Sequence, residues 1–203
     1  MFASKRAVST VVKRCMSTKA IADTDICIVS AVRTPLGSFG GGLASLTGVQ
    51  LGSHAIAAAV ERAGVSPVDV SEVIMGNVLS ANLGQAPARQ AAIGAKLPEA
   101  TVCTTVNKVC SSGLKTIMYA ANEIALGNSD IVVAGGFESM SNAPYYAPAL
   151  RNGARIGDTQ MLDGLMKDGL TDPYGKYPMG NCAEVCADEM SFSRADQVRR
   201  RKQ

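Results

Sequence analysis

Between Thr101 and Gly127 the sequence switches once from a strand period to a helix period, and this constrains the fold more than any other feature. The β-branched run Thr101 to Val106 is strand-like. From Leu114 onward Leu114, Ile117, Met118, Ala121, Ile124 and Ala125 recur at helical spacing, and Gly127 stops the helix. Cys110 stands in the turn between them. Unpaired backbone N–H groups and the helix dipole favour a thiolate there, making Cys110 a candidate covalent nucleophile. Free cysteine is also commonly a small buried hydrophobe, and position alone does not separate the two.

The same alternation runs through the first two thirds of the chain. Ile26 to Val32 reads as a strand, ended by Arg33-Thr34-Pro35 and a glycine cluster. Thr47 caps a helix carrying Val49, Leu51, Ile56, Ala59 and Val60, closed by Gly64. Val73 to Val78 is a second strand, Gln85 to Ala95 a helix, and Ile131 to Gly136 a buried strand ending in two glycines. The expected fold class is therefore α/β, a mainly parallel sheet with helices on both faces. Such sheets carry their chemistry at the carboxyl ends of the strands. Cys110 and the turn Gly135-Gly136-Phe137-Glu138-Ser139 both follow strands, so they are expected on one edge.

Residues 24–141 form this core. Residues 142–192 read as a loop-rich insertion with a short helix from Met161 to Met166 and a loop from Gly169 to Gly180. Residues 193–203 begin another helix and end in a basic tail.

The formal net charge of +3 hides an acidic body. Nine of the 20 basic residues lie within residues 1–20 and 199–203, leaving 11 against 17 acidic ones elsewhere. With aromatics at 4%, this argues against a nucleic-acid partner. No apolar stretch approaches the roughly 20 residues of a membrane span, so no membrane partner is expected. Residues 1–20 are basic, hydroxyl-rich and free of acids, the composition of a mitochondrial transit peptide, and imply a matrix location. The six cysteines show no disulfide spacing. Cys182 and Cys186 can share a helix face, but no further ligands complete a metal site, and none is expected. The one histidine, His54, falls in a helical run and reads as a helix-face residue rather than a base.

Several collinear motifs, taken together, resemble the thiolases, and more closely their acetyl-CoA acetyltransferase branch. They are Arg33-Thr34-Pro35-x-Gly37-x-Phe39-x-Gly41, Gly76-Asn77-Val78, Gly84-Gln85-x-Pro87-x-Arg89-Gln90 and Asn107-Lys108-Val109-Cys110-Ser111-Ser112-Gly113. Gly135 to Ser141, Lys167 to Asp172 and Met179-Gly180-x-Cys182-Ala183-Glu184 follow. The resemblance spans residues 25 to 198.

It implies the first of two sheet repeats and a Claisen condensation of two acetyl-CoA to acetoacetyl-CoA, or its thiolytic reverse. Cys110 matches the acylated nucleophile, with its backbone N–H in an oxyanion hole. Met179 matches a position near the short acyl group. Acetyl-CoA, acetoacetyl-CoA and CoA are the implied partners, with no tightly bound cofactor and a homodimer or homotetramer for a full-length form. Pro178 stands where many short-chain members have histidine, which brings in broader-chain 3-ketoacyl-CoA thiolases as an alternative. Family members run about twice this length and draw their acid–base groups from the second half. This chain is therefore expected to be an inactive fragment alone, the other alternative being a short isoform that serves as an interaction module with full-length thiolase.

Overall fold

The computed structural model describes residues 2–3 and 25–201. The expected leader lies outside the described residues, apart from Phe2–Ala3. The chain divides into two compact units, one ending at Pro144 and the other beginning at Tyr145.

The first unit is a five-stranded sheet. Strand β1 (Phe2–Ala3) runs antiparallel between β2 (Cys27–Ile28) and β5 (Ile131–Gly136). Strands β5, β3 (Glu72–Gly76) and β4 (Val102–Val106) then follow in parallel, giving the order β2-β1-β5-β3-β4. The expected first strand is shorter than its apolar run: only Cys27–Ile28 is strand, and the chain from Val29 to Ser38 is irregular. Antiparallel pairing to the two residues of β1 accounts for that length.

Each central strand is buried on both faces, and alternate residues feed two cores. Val73, Met75, Ile131 and Val133 pack with Ile56, Val60 and Ala63 of α1 (Gly48–Ala63) and with Ala88, Ala91 and Ala92 of α2 (Pro87–Gly94). Ile74 and Val132 face the other way, onto Ala120 and Ile124 of α3 (Ser112–Ala125). Helices on both faces are thus observed.

Local chemistry explains the helix limits. Thr47 and Gln50 close a reciprocal capping box ahead of α1, and Gly64 ends it at a φ of 65°. Helix α3 keeps Ile117 and Ile124 of its expected face on the core but departs from the rest of it. Ser112, Thr116, Ala120 and Ile124 are its buried residues, while Leu114 is 64% and Met118 52% exposed. Small residues at this contact let the helix lie close to the glycine-rich strand ends, which turns the larger apolar side chains outward.

The second unit holds a two-stranded antiparallel ribbon of β6 (Tyr145–Tyr146) and β7 (Leu162–Asp163), helix α4 (Met179–Glu189) and helix α5 (Arg194–Arg201). The helix expected from Met161 to Met166 is not formed over that span: a helical turn begins only at Gly164. Leu162–Asp163 is strand, Asp163 Oδ1 accepts the Leu165 N–H at 2.8 Å, and a wide π-type turn spans Met166–Leu170. The expected loop to Gly180 ends one residue short of Met179, where α4 begins. Among the described residues no helix is long and apolar enough to cross a membrane.

Candidate active site

Three parallel strands end level. Gly76 of β3 pairs with Val106 of β4 on one side and Gly136 of β5 on the other. The ladder continues one step into the turns: Asn77 N–H donates to Val106 O and Phe137 N–H to Gly76 O, both at 3.0 Å. The turns carrying Cys110 and Glu138 therefore leave the same sheet edge.

Cys110 is exposed, two residues ahead of α3. The residue before it, Val109, has a φ of 49°. A β-branched side chain in the left-handed region is a genuine outlier, costing about 1–3 kcal/mol, and it persists only where its surroundings over-determine it. Here they do. Asn107 Oδ1 accepts the Val109 N–H at 2.9 Å. Ser112 Oγ accepts the Lys108 N–H at 2.8 Å and donates to Val109 O at 2.6 Å. Ser111 Oγ donates to Lys108 O at 2.9 Å.

The clamp is seated on the sheet by two close approaches. A Cβ on Gly76 would lie 2.7 Å from the Ser112 Cβ, so only glycine lets the start of α3 rest on β3. One turn along α3, the buried Thr116 Oγ1 lies 2.7 Å from Gly113 O and 2.9 Å from Gly135 O. Another cysteine, Cys103, sits half-buried in the middle of β4, where burial pushes its thiol up.

The second turn is built around Glu138. Its Oε1 accepts the Asn77 Nδ2 donor at 2.8 Å and its Oε2 the Val78 N–H at 2.9 Å, with the Leu79 N–H 3.3 Å from both oxygens. Burial raises its carboxyl above the ordinary range, against the lowering by these N–H donors. The residues after it hold the loop before α1: Ser139 Oγ donates to Leu46 O at 3.1 Å, and Asn142 Nδ2 to Ala44 O at 2.9 Å and Leu46 O at 3.0 Å. Phe137 is buried against Gly52 of α1, where a Cβ would come within 2.7 Å of the ring.

Other expected residues fall elsewhere. The Gly84 to Gln90 motif is a loop staple: Gln90 Nε2 donates to Leu83 O and Gln85 O, both at 2.7 Å, and the Ala88 N–H donates to Thr105 Oγ1 at 3.1 Å. His54 is an exposed residue of α1. Met179 opens α4 in the second unit and is 39% exposed. Cys182 and Cys186 lie one turn apart on α4, both exposed. No cluster of three His, Cys, Asp or Glu able to hold a metal occurs among the described residues. The roles of Asn77, Ser112 and Glu138 were not read from the sequence, although each lies inside a quoted motif. For Asn77 the available signal was a short polar residue directly after the strand-end Gly76.

An exposed cysteine on a clamped strand-to-helix turn, at the carboxyl edge of a parallel sheet covered by helices, can attack an electrophile and carry a group on its sulfur. Comparison with known proteins narrows that chemistry. The thiolase N-terminal domain matches residues 26–199, and the chain belongs to the thiolase family. It is 61% identical over 175 residues to an acetyl-CoA acetyltransferase of Schizosaccharomyces pombe, covering 86% of this chain and 44% of that protein. It is 60% identical over 172 residues to a cytosolic acetyl-CoA acetyltransferase of Gibberella zeae, covering 85% of this chain and 43% of that one. A thiolase from Ascaris suum, solved in complex with coenzyme A, superposes with a TM-score of 0.79 at 46% identity, covering 83% of this chain and 44% of that one. The chain thus spans less than half the length of the relatives it matches.

Proposed function

We propose that this chain carries the nucleophilic half of an acetyl-CoA acetyltransferase, with Cys110 as the acyl acceptor. The observation that carries the reading is the exposed Cys110 on its strained, clamped turn. The Cys110 thiolate attacks the carbonyl carbon of acetyl-CoA. A carbon–sulfur bond to Cys110 forms, the bond to the CoA sulfur breaks, and CoA leaves and takes up a proton. The backbone N–H of Cys110 serves the tetrahedral oxyanion. Acetyl-Cys110 then acylates the carbanion of a second acetyl-CoA to give acetoacetyl-CoA, and thiolysis is the reverse. CoA thioesters are substrates, and no tightly bound cofactor is required.

Water protonates the leaving CoA thiolate of the first step in place of a positioned acid, and the second step needs a base for acetyl-CoA, each such group being worth about 10²–10⁴ in rate. The sole histidine is exposed on α1, and the relatives hold more than half of their length outside the matched region. We assign the acid–base groups to that region, so this chain acylates without turning over. The edge strand β4, with Leu114, Met118 and Tyr119 exposed on α3, offers the surface for a homodimer or for pairing with a full-length thiolase. The basic first 20 residues support delivery to the mitochondrial matrix, and a cytosolic reporter distribution for the fused leader would refute it.

The test is mass spectrometry of the chain after incubation with acetyl-CoA. One acetyl group is expected on the peptide holding Cys110, none in Cys110→Ala, and no acetoacetyl-CoA in either. An unmodified Cys110 would overturn the reading. Acylation by longer 3-ketoacyl-CoA substrates at equal rates would favour the broader-chain alternative.

A further inference from the structure

Glu138 takes no part in the chemistry just proposed, yet it is a half-buried carboxylate at the sheet edge from which the Cys110 turn leaves. Its partners form one path. Glu138 grips the turn after β3 through the Asn77 side chain and the Val78 and Leu79 N–H groups. That turn holds the root of the nucleophile loop, because the Asn77 N–H donates to Val106 O at 3.0 Å. It also reaches Asn107, whose Nδ2 lies 3.5 Å from Val78 O. The other end of the Asn107 amide accepts the Val109 N–H and fixes the strained residue before Cys110.

We infer that Glu138 is a positioning residue for Cys110, acting through the 77–79 turn and Asn107. A carboxylate suits the place because three N–H donors converge on it and only an acceptor satisfies all of them. A glutamine would turn an NH₂ against at least one of these donors, and the turn would withdraw its support from Asn107. The inference rests on reading Cys110 as the acyl acceptor, while its test does not require acetyl-CoA.

The experiment measures iodoacetamide alkylation of the 203-residue chain, read on the tryptic peptide Val109 to Lys115, whose only cysteine is Cys110. The half-buried Cys103 lies on a separate peptide and reports general loosening. Glu138→Gln and Asn107→Ser are each expected to slow Cys110 by about three- to tenfold, the scale of one lost hydrogen bond, with Cys103 unchanged. The double variant should be no slower than the slower single one. Wild-type Cys110 rates in Glu138→Gln, multiplying effects, or a faster Cys103 would overturn the inference. If Glu138→Gln does not fold, Asn107→Ser still decides, because an unaltered Cys110 there breaks the path. Acetyl-CoA added in parallel separates the two claims. Coupled alkylation without acetylation keeps the positioning and discards the acyl-transfer reading, and the opposite pattern discards the positioning.

Discussion

The two units of the chain are held by different physics. The first buries Val73, Val132, Ile56, Asn77 and Thr116 almost completely, and its parallel ladder ties residues some 60 positions apart. In the second, Gly164 and Leu165 are the buried residues among those described, and its polar contacts are mostly local: Asp163 to Leu165, Asp172 to Tyr174 and Gly175, Ser193 to Asp196. The difference teaches where a strained turn can be kept. Val109 is held off its preferred backbone by a local clamp that is seated on long-range packing at Gly76 and Thr116, whereas the left-handed residues of the second unit, Lys176 and Ser191, are not β-branched and need no such seat.

The sharpest way to break that contrast is to remove one large side chain from each unit. Phe137→Ala, which empties the packing against Gly52, is expected to cost about 3–5 kcal/mol by denaturant unfolding. Tyr174→Ala, at a residue 91% exposed, should change stability by no more than about 0.5 kcal/mol. Equal losses would mean that the second unit is as cooperative as the first. Within the first unit, Ser112→Ala leaves the Lys108 N–H and Val109 O without their buried partner, for about 1–3 kcal/mol. It should also slow acetylation of Cys110. A stability loss with unaltered acetylation would show that the clamp serves the fold alone.

Much of the first unit was legible because its signals are local. Thr47 with Gln50, the left-handed Gly64 and the β-branched strands each specify their own element. The position of Cys110 followed from one change of period. What was not legible depends on partners distant in sequence. Nothing near Glu138 announces Asn77 and Val78, 61 and 60 residues away. The outward turn of Leu114 and Met118 depends on the lack of room over Gly76, which no helical spacing encodes. The helix expected at Met161 to Met166 starts later for a local reason: Asp163 Oδ1 accepts the Leu165 and Met166 N–H groups and so caps a helical turn that begins at Gly164.

Smaller effects separate the units by pH. Burial raises the Glu138 carboxyl, so the folded chain binds its proton more tightly than the unfolded chain does. The sign follows: this contribution is fully present below the ordinary carboxylate range and is lost as pH rises through the raised value. Stability should therefore fall with pH across that window, and the slope attributable to Glu138 should vanish in Glu138→Gln. A slope unchanged by the substitution would place its origin elsewhere.

The second unit offers the counterpart, with the smallest expected effect on the fold. Tyr146 donates its hydroxyl to Asp168 Oδ2 at 2.5 Å, and that bond, with burial and the charge of Asp168 adding to it, pushes the phenol up from 10 to about 12. Here the neutral form is the one stabilised. The contribution is complete below the ordinary phenol range and disappears as pH rises through about 12. Alkaline titration followed by ultraviolet absorbance should show a late tyrosine component. Asp168→Asn should return it toward 10, with unfolding of the first unit unaltered. A late tyrosine that survives the substitution would show that burial, rather than the bond to Asp168, holds the phenol neutral.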